Sequence, residues 1–288
     1  NNKISNQNQE IITNLNKNKI NFQFNSDKKE FIIKKGNYNL DSTLIFDKNF
    51  KLIVESGTTL NLDDGVSIIL NGPLFLNGSN KEPIKITNSN VNWGTLCILN
   101  SNEKSYIKNS IIEYGGSKNR LIINNKHFTG MINFFYSDVD IINSEISNAN
   151  IEDAINIKYS KYNIRNSKIY NNKSDGFDGD WSDGIILNSS FNNNNNDGID
   201  ISGSNVKIIE ADMSYNGDKS LSVGEDSNVT IENSKISNSL YGLVSKDLSH
   251  LYIINTEIFN NKFGIAAYRK KPIFGGGIIK LKNNKLSS

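Results

Sequence analysis

Cysteine is almost missing: Cys97 is the single thiol in 288 residues. A disulfide framework and a thiolate zinc site are therefore excluded. The two histidines, His127 and His250, lie far apart in the chain, which argues against a His-rich metal centre or a Ser-His-Asp hydrolase. Both read as surface loop residues, and Cys97 as a small buried hydrophobe. Proline occurs three times, as expected where nearly every backbone N–H is needed in a ladder. No apolar run approaches the roughly 18 residues of a membrane-spanning helix. Neither sign of charge dominates, with 32 Lys and Arg against 30 Asp and Glu, so the basic excess of a nucleic-acid binder is absent. No charged-then-apolar leader opens the sequence at Asn1, so it reads as a mature chain or an excised domain.

Asparagine and isoleucine fill the space, with 50 and 42 copies. They are spaced, not clumped. The phrase Asn-Ser-x-Ile appears at Asn109, Asn143 and Asn166, and recurs as Asn188-Ser189-Ser190-Phe191, Asn233-Ser234-Lys235-Ile236 and Asn255-Thr256-Glu257-Ile258. Glu210-Ala211-Asp212-Met213 keeps the spacing and loses the Asn. The steps are about 22 or 23 residues, except a first step of about 34 that accommodates an inserted loop around Gly115 to Phe128. A second phrase precedes each copy: Asp153-Ala154-Ile155, Asp175-Gly176-Phe177, Asp197-Gly198-Ile199, Tyr241-Gly242-Leu243 and Phe263-Gly264-Ile265. Within strands the period is two, and helical periodicity is absent.

These features predict an all-β, right-handed, single-stranded parallel β-helix of about ten or eleven coils, each of about 22 residues. Leucine-rich repeats share the period but need a Leu-x-x-Leu-x-Leu signature and a helical segment. The Asn column is expected to stack amide on amide at a coil corner, and the Ile, Phe and Met column beside it to fill the core. One domain over 1–288 is expected. Residues 1–30 form a cap region, with a short helix over Glu10 to Asn16, and 281–288 form a polar tail.

Outward positions of stacked coils make stripes. Five residues after the start of each Gly phrase lie Lys158, Asp180, Ser202, Lys246 and Tyr268, and three after it lie Asn156, Asp178 and Asp200. An insertion from Asp218 to Glu225 blurs the register by one or two residues and brings Lys219 and Glu225 near the stripe, followed by Asp247, Arg269 and Lys270. Asp178, Asp180 and Asp200 are candidate Ca²⁺ ligands, being hard oxygen donors on one face. Asp180 and Asp200 are alternatively paired carboxylates for glycoside hydrolysis. In a third reading Lys219 or Lys246 abstracts a proton beside a uronate carboxylate and Tyr268 protonates the leaving oxygen, with Glu225 a further catalytic candidate. Lys158, Asp178, Asp180, Trp181, Asp200, Asp247, Arg269 and Lys270 are the substrate-binding candidates. The competing reading is a ladder of exposed ion pairs, each contributing about 0–1 kcal/mol. Against it stands the run 175–184, which breaks the Asn and Ile bias with four Asp, three Gly and Trp181, a sugar-stacking side chain.

The stretch from Asp175 to Lys271 resembles bacterial right-handed β-helix proteins of the pectate-lyase-like superfamily. Its phrases Asn196-Asp197-Gly198-Ile199-Asp200-Ile201-Ser202, Gly217-Asp218-Lys219-Ser220-Leu221 and Lys246-Asp247-Leu248-Ser249 are similar to β-helix regions that accompany spore-coat H-like kinase domains. The polygalacturonase-type Gly-His-Gly and Arg-Ile-Lys are absent, the only Asp-Asp pair, Asp63-Asp64, lies away from the stripe, and Arg269 is the stripe's only arginine. The resemblance implies the fold without assigning a reaction. The expected function is binding, and modification of the lyase or uronate-epimerase type, of an extracellular acidic polysaccharide, with Ca²⁺ as the candidate cofactor. No nucleic-acid or membrane partner is expected, and the chain is read as a monomer or part of a larger multidomain protein. The alternative is a non-catalytic surface or accessory module, a rigid spacer or adhesin.

Overall fold

The computed structural model describes residues 6–46, 48–117 and 121–287. The chain winds through three long sheets of twelve, ten and eleven strands, each built by stacking strands one full turn apart. The eleven-stranded sheet takes one strand per turn, so there are about eleven turns, at the upper end of the expected range. Pairing within the three sheets is parallel, except that Phe22–Asn25 runs antiparallel to Glu30–Ile33 at the start. The result is a parallel β-helix. Among the described residues, no helix is long and apolar enough to cross a membrane.

One representative turn runs through Tyr162–Arg165, Lys168–Tyr170 and Asp175–Asp180 before Gly184–Leu187 stacks on its first strand. Inward side chains alternate with outward ones, as the period of two requires. The inward set forms one continuous core, in which Ile146, Ile169, Phe191, Met213, Ile236 and Ile258 lie above one another.

The corners explain the Asn-Ser phrase. Asn143, Asn166, Asn188, Asn233 and Asn255 all adopt the left-handed backbone, with φ between 46° and 51°. Asn tolerates that conformation better than most residues with a side chain. Their amides stack: Asn166 Nδ2 donates to Asn143 Oδ1 at 3.1 Å, and Asn188 Nδ2 to Asn166 Oδ1 at 2.9 Å. Glu210, where the Asn is lost, keeps the left-handed turn at φ 54°. The following Ser points inward, and its hydroxyl accepts the backbone N–H of the Ser one turn earlier, as Ser189 does from Ser167 at 3.2 Å. A second Ser ladder, Ser137 to Ser160 to Ser182 to Ser204, serves the corner after the ten-stranded sheet. At the third corner Asn172, Asn194 and Asn216 are buried, with Nδ2 to Oδ1 distances of 2.7 and 3.0 Å.

The ends differ. Helix Asn6–Lys17 buries Ile11 and Leu15 over the first coils, longer than expected but in the expected place. Residues 281–287 are not a tail: Ile278–Lys282 and Lys285–Ser287 are strands of the last turn, paired to His250–Ile254 and Glu257–Phe259. The inserted loop is a hairpin, Leu121–Ile123 against Lys126–Phe128. It lies outside the ten-stranded sheet, where Phe128 packs on Ile69, Cys97 and Leu99. Burial raises the Cys97 thiol far above its ordinary pKa, which leaves it inert. His127 lies in this exposed hairpin, as expected of a surface residue, whereas His250 is half-buried in a strand of the twelve-stranded sheet.

Ile169→Ala should cost about 2–5 kcal/mol, because its cavity cannot collapse between fixed coils. Asn194→Ala should cost about 1–3 kcal/mol through the buried partners it leaves unsatisfied. Urea unfolding of both variants checks this, and a loss under about 0.5 kcal/mol for either would contradict the packing described.

Candidate functional site

Three outward columns cross the ten-stranded sheet. The first, at the strand starts, reads Asp153, Asp175, Asp197, Lys219, Tyr241 and Phe263. The middle column reads Asn133, Asn156, Asp178, Asp200, Ser222 and Val244. The third reads Phe135, Lys158, Asp180, Ser202 and Gly224, and ends with Lys246 and Tyr268. The two stripes read from the sequence are thus columns two and three. The uncertain coil is now in register: Gly224, not Glu225, fills the stripe, and Lys219 belongs to the first column.

The hairpin closes one end of this face and the loop after Tyr268 closes the other. That loop is tied down by Asp247, which is fully buried and whose Oδ1 accepts the backbone N–H groups of Lys270 and Lys271, each at 2.7 Å. Asp247 is therefore a loop anchor and not a surface binding residue. Glu225 occupies a left-handed corner and pairs with Lys271, and Arg269 and Lys270 are exposed beyond the last strand. These three sit at the rim.

The centre is strongly acidic. Asn156 Nδ2 bridges two carboxylates, donating to Asp178 Oδ2 at 2.7 Å and to Asp153 Oδ2 at 3.1 Å. Asp180 pairs with Lys158 at 2.7 Å. Burial, with the charges of Asp153, Asp180 and Asp200, holds the Asp178 carboxyl well above the usual carboxylate range. Burial likewise pushes Asp153 up to about 7, and pushes Asp175, beside Asp153, up to about 6. Burial and the neighbouring Asp200 push Asp197 up to about 7 against the pull of Lys219. Several of these side chains hold protons close to neutrality. Asp153, Asp175 and Asp197 join the candidate residues, and their only sequence signal is the recurrence of Asp at the head of three successive phrases.

The lysines are cationic partners. Lys219 Nζ lies 3.2 Å from Asp197 Oδ1 and also contacts Asp218; burial opposes its charge, but the two carboxylates outweigh it and raise its pKa. Lys246 is 5% exposed, donates to Ser222 Oγ at 2.7 Å and lies 3.6 Å from Asp200 Oδ1. It reaches back across Gly224, where a Cβ would fall 2.7 Å from its Cε. Burial raises the pKa of Tyr268, which keeps its phenol protonated. The base role expected of Lys219 or Lys246 is therefore not met: Lys219 is held charged between two acids, and the Lys246 ammonium is engaged with Ser222 and Asp200.

One further expectation changes. The Ca²⁺ set does not fit this arrangement: Asp178 faces Asn156, Asp180 faces Lys158 and Asp200 faces Lys246. Among the described residues, no group of three or more His, Cys, Asp or Glu side chains is placed to hold a metal ion. The face carries Asp153, Asp175, Asp178, Asp180, Asp197 and Asp200 against Lys158, Lys219 and Lys246. Because several of these carboxyls hold protons near neutrality, the face is close to charge-balanced there and selects no sign of polysaccharide.

The raised carboxyls have a consequence for stability. Unfolded, these aspartates release protons near pH 4; folded, Asp153, Asp175 and Asp197 retain them to about 6–7. The folded state binds more protons in that window, so the stability these groups contribute falls as pH rises from about 4 to about 7 and then levels off. Thermal unfolding midpoints should follow that course, and Asp153→Asn should flatten it. An unchanged slope in the variant would contradict the assignment.

The family model described as "Right handed beta helix region" matches residues 153–288. No curated protein matches the chain. Among solved structures, the A-module of the Azotobacter vinelandii mannuronan C-5 epimerase AlgE4 is 13% identical, with a TM-score of 0.57 over 89% of this chain and 86% of that one. The Dettilon tailspike protein is 12% identical, with a TM-score of 0.57 over 80% of this chain and 48% of that one. The catalytic domain of a GH87 α-1,3-glucanase, in complex with tetrasaccharides, is 13% identical, with a TM-score of 0.51 over 92% of this chain and 62% of that one. At such identities the likeness shows a common fold: the chain is a right-handed parallel β-helix whose strand ladder, and not its side chains, it shares with these proteins.

Proposed function

We propose that the outer face of the ten-stranded sheet binds a polysaccharide and cleaves it by acid–base chemistry at Asp178 and Asp200. The observation that carries this is a pair of carboxyls in unlike surroundings on adjacent coils. Asp178 is the register partner of Asp200, and burial with the crowding acids raises its pKa well above the usual carboxylate range, whereas Asp200 faces Lys246 Nζ at 3.6 Å. Such divergence separates an acid from its partner carboxylate. Two similar folds, a mannuronan C-5 epimerase module and an α-1,3-glucanase domain, act on polysaccharides, which supports a polysaccharide as the ligand.

In this reading Asp178 donates its proton to the glycosidic oxygen as the bond to the anomeric carbon breaks. Asp200 attacks or stabilises that carbon, and Lys246 with Ser222 holds Asp200 in place. Asp178, now a carboxylate, takes a proton from the water that releases the second product, which restores both groups. Neighbouring strands are about 4.8 Å apart at the backbone, a spacing compatible with the carboxyl separation of about 5–5.5 Å that retention uses. The reading goes with a place of action outside the cell, where such polysaccharides are met.

Reducing-end assays on a panel of neutral, amino and acidic polysaccharides test this. Asp178→Asn and Asp200→Asn should each lower kcat by about 10²–10⁴-fold with little change in KM, and the product anomer should be retained. Ultraviolet-absorbing unsaturated products from an acidic substrate, or full activity in both variants, would overturn the proposal.

A further inference from the structure

The corner that follows the third column carries Tyr136, Tyr159 and Trp181 in three successive turns, all left-handed, with φ of 49°, 55° and 47°. Bulky side chains seldom adopt that conformation, so its threefold use here is not a default of the chain. Their rings stack along the helix axis. Tyr136 and Tyr159 are 4.9 Å apart at 14°, and Tyr159 and Trp181 are 5.4 Å apart at 11°. The stack then stops. The next corner residue is Gly203, at φ +63°, and the indole leans over it: a Cβ there would fall 2.6 Å from Trp181 Cδ1. The corner residue after that, Glu225, is drawn aside to Lys271.

Trp181 thus has one face against Tyr159, yet stays 50% exposed, beside Tyr136 at 51% and Tyr159 at 41%. A contiguous exposed aromatic strip of this kind marks a binding surface. Its position says what binds. Trp181 directly follows Asp180, whose register partner Ser202 precedes Gly203 against the indole, and Asp178 and Asp200 lie two residues before Asp180 and Ser202. An apolar wall above hydrogen-bonding groups matches a pyranose, which has an apolar ring face and a rim of hydroxyls.

Resting on the polysaccharide reading above, we infer that Trp181 is the stacking wall of a sugar subsite over Ser202 and Gly203, beside the Asp178–Asp200 pair. Tyr159 and Tyr136 are positioning residues that back the indole and hold its outer face toward that space. The subsite takes the pyranose ring itself and needs no charge on the sugar, which separates it from the electrostatic part of the site.

Only two tryptophans are present, and Trp93 is fully buried with its Nε1 bonded to Glu113 O at 2.7 Å. Iodide quenching of the wild-type chain therefore reports Trp181. Cello-, laminari-, manno- and chitotetraose are the probes. At least one should shield Trp181 from iodide. Calorimetric affinity for that sugar should fall roughly ten-fold, about 1.4 kcal/mol, in Trp181→Ala, and hold within about three-fold in Trp181→Phe. Tyr159→Ala should lie between them and restore quenching. Full quenching with all four sugars, or wild-type affinity in Trp181→Ala, would overturn the subsite. Shielding without turnover would leave the subsite standing and remove the cleavage reading, whereas turnover without shielding would do the reverse. Asp178→Asn should still show shielding.

Discussion

Each turn of this molecule must leave a sheet three times, and at each departure the backbone bends out of the ladder that satisfies its polar groups. Buried N–H and C=O groups without partners would cost about 1–3 kcal/mol apiece, repeated over eleven turns. The corners solve this by repetition. A left-handed residue makes the bend, and an inward Ser or Asn takes the N–H of the preceding turn, as Ser182 does for Ser160 and Asn216 for Asn194. Because each ladder member needs its neighbour at the strand spacing, the corners hold the coils in register.

Register is what makes chemistry available on such a surface. Residues about 22 positions apart become neighbours, so Asp178 meets Asp200 and Lys158 meets Asp180 without any loop to carry them. The same rule produces the aromatic stack, since Tyr136, Tyr159 and Trp181 share one corner position. Rigidity also has a cost. Carboxyls are buried and crowded in the first and middle columns: burial raises Asp153, and burial with neighbouring carboxylates raises Asp178 and Asp197. Protonation near neutrality relieves that cost and leaves proton donors on the face.

Glycine shapes the face by omission. Gly224 allows Lys246 to lie back toward Ser222 and Asp200, and Gly203 ends the ring stack and leaves room for the Trp181 indole. The hairpin Leu121–Phe128 and the loop held by Asp247 bound the face at its two ends. The acidic centre, the lysines at its edges and the aromatic wall therefore lie within about five turns of one sheet.

The fold was legible because it is periodic. Asn-Ser-x-Ile at a fixed step, alternation within strands and few prolines specify stacked coils without a long-range guess, and the two stripes through Asp178 and Asp180 follow from counting. Where the period is broken, counting leaves Glu225 only within one or two residues of the stripe, and the strand pairing puts Gly224 on it. Counting misread 281–287, whose polar composition suits an exposed last turn as well as a tail. Which carboxyls hold protons, which lysines are paired and which Asp is buried as a loop anchor depend on burial and on neighbours one turn away. The sequence determined the ladder and the columns, because those are local repeats. The tertiary structure alone decided the charge state and accessibility within each column, because these arise from several coils acting on one side chain.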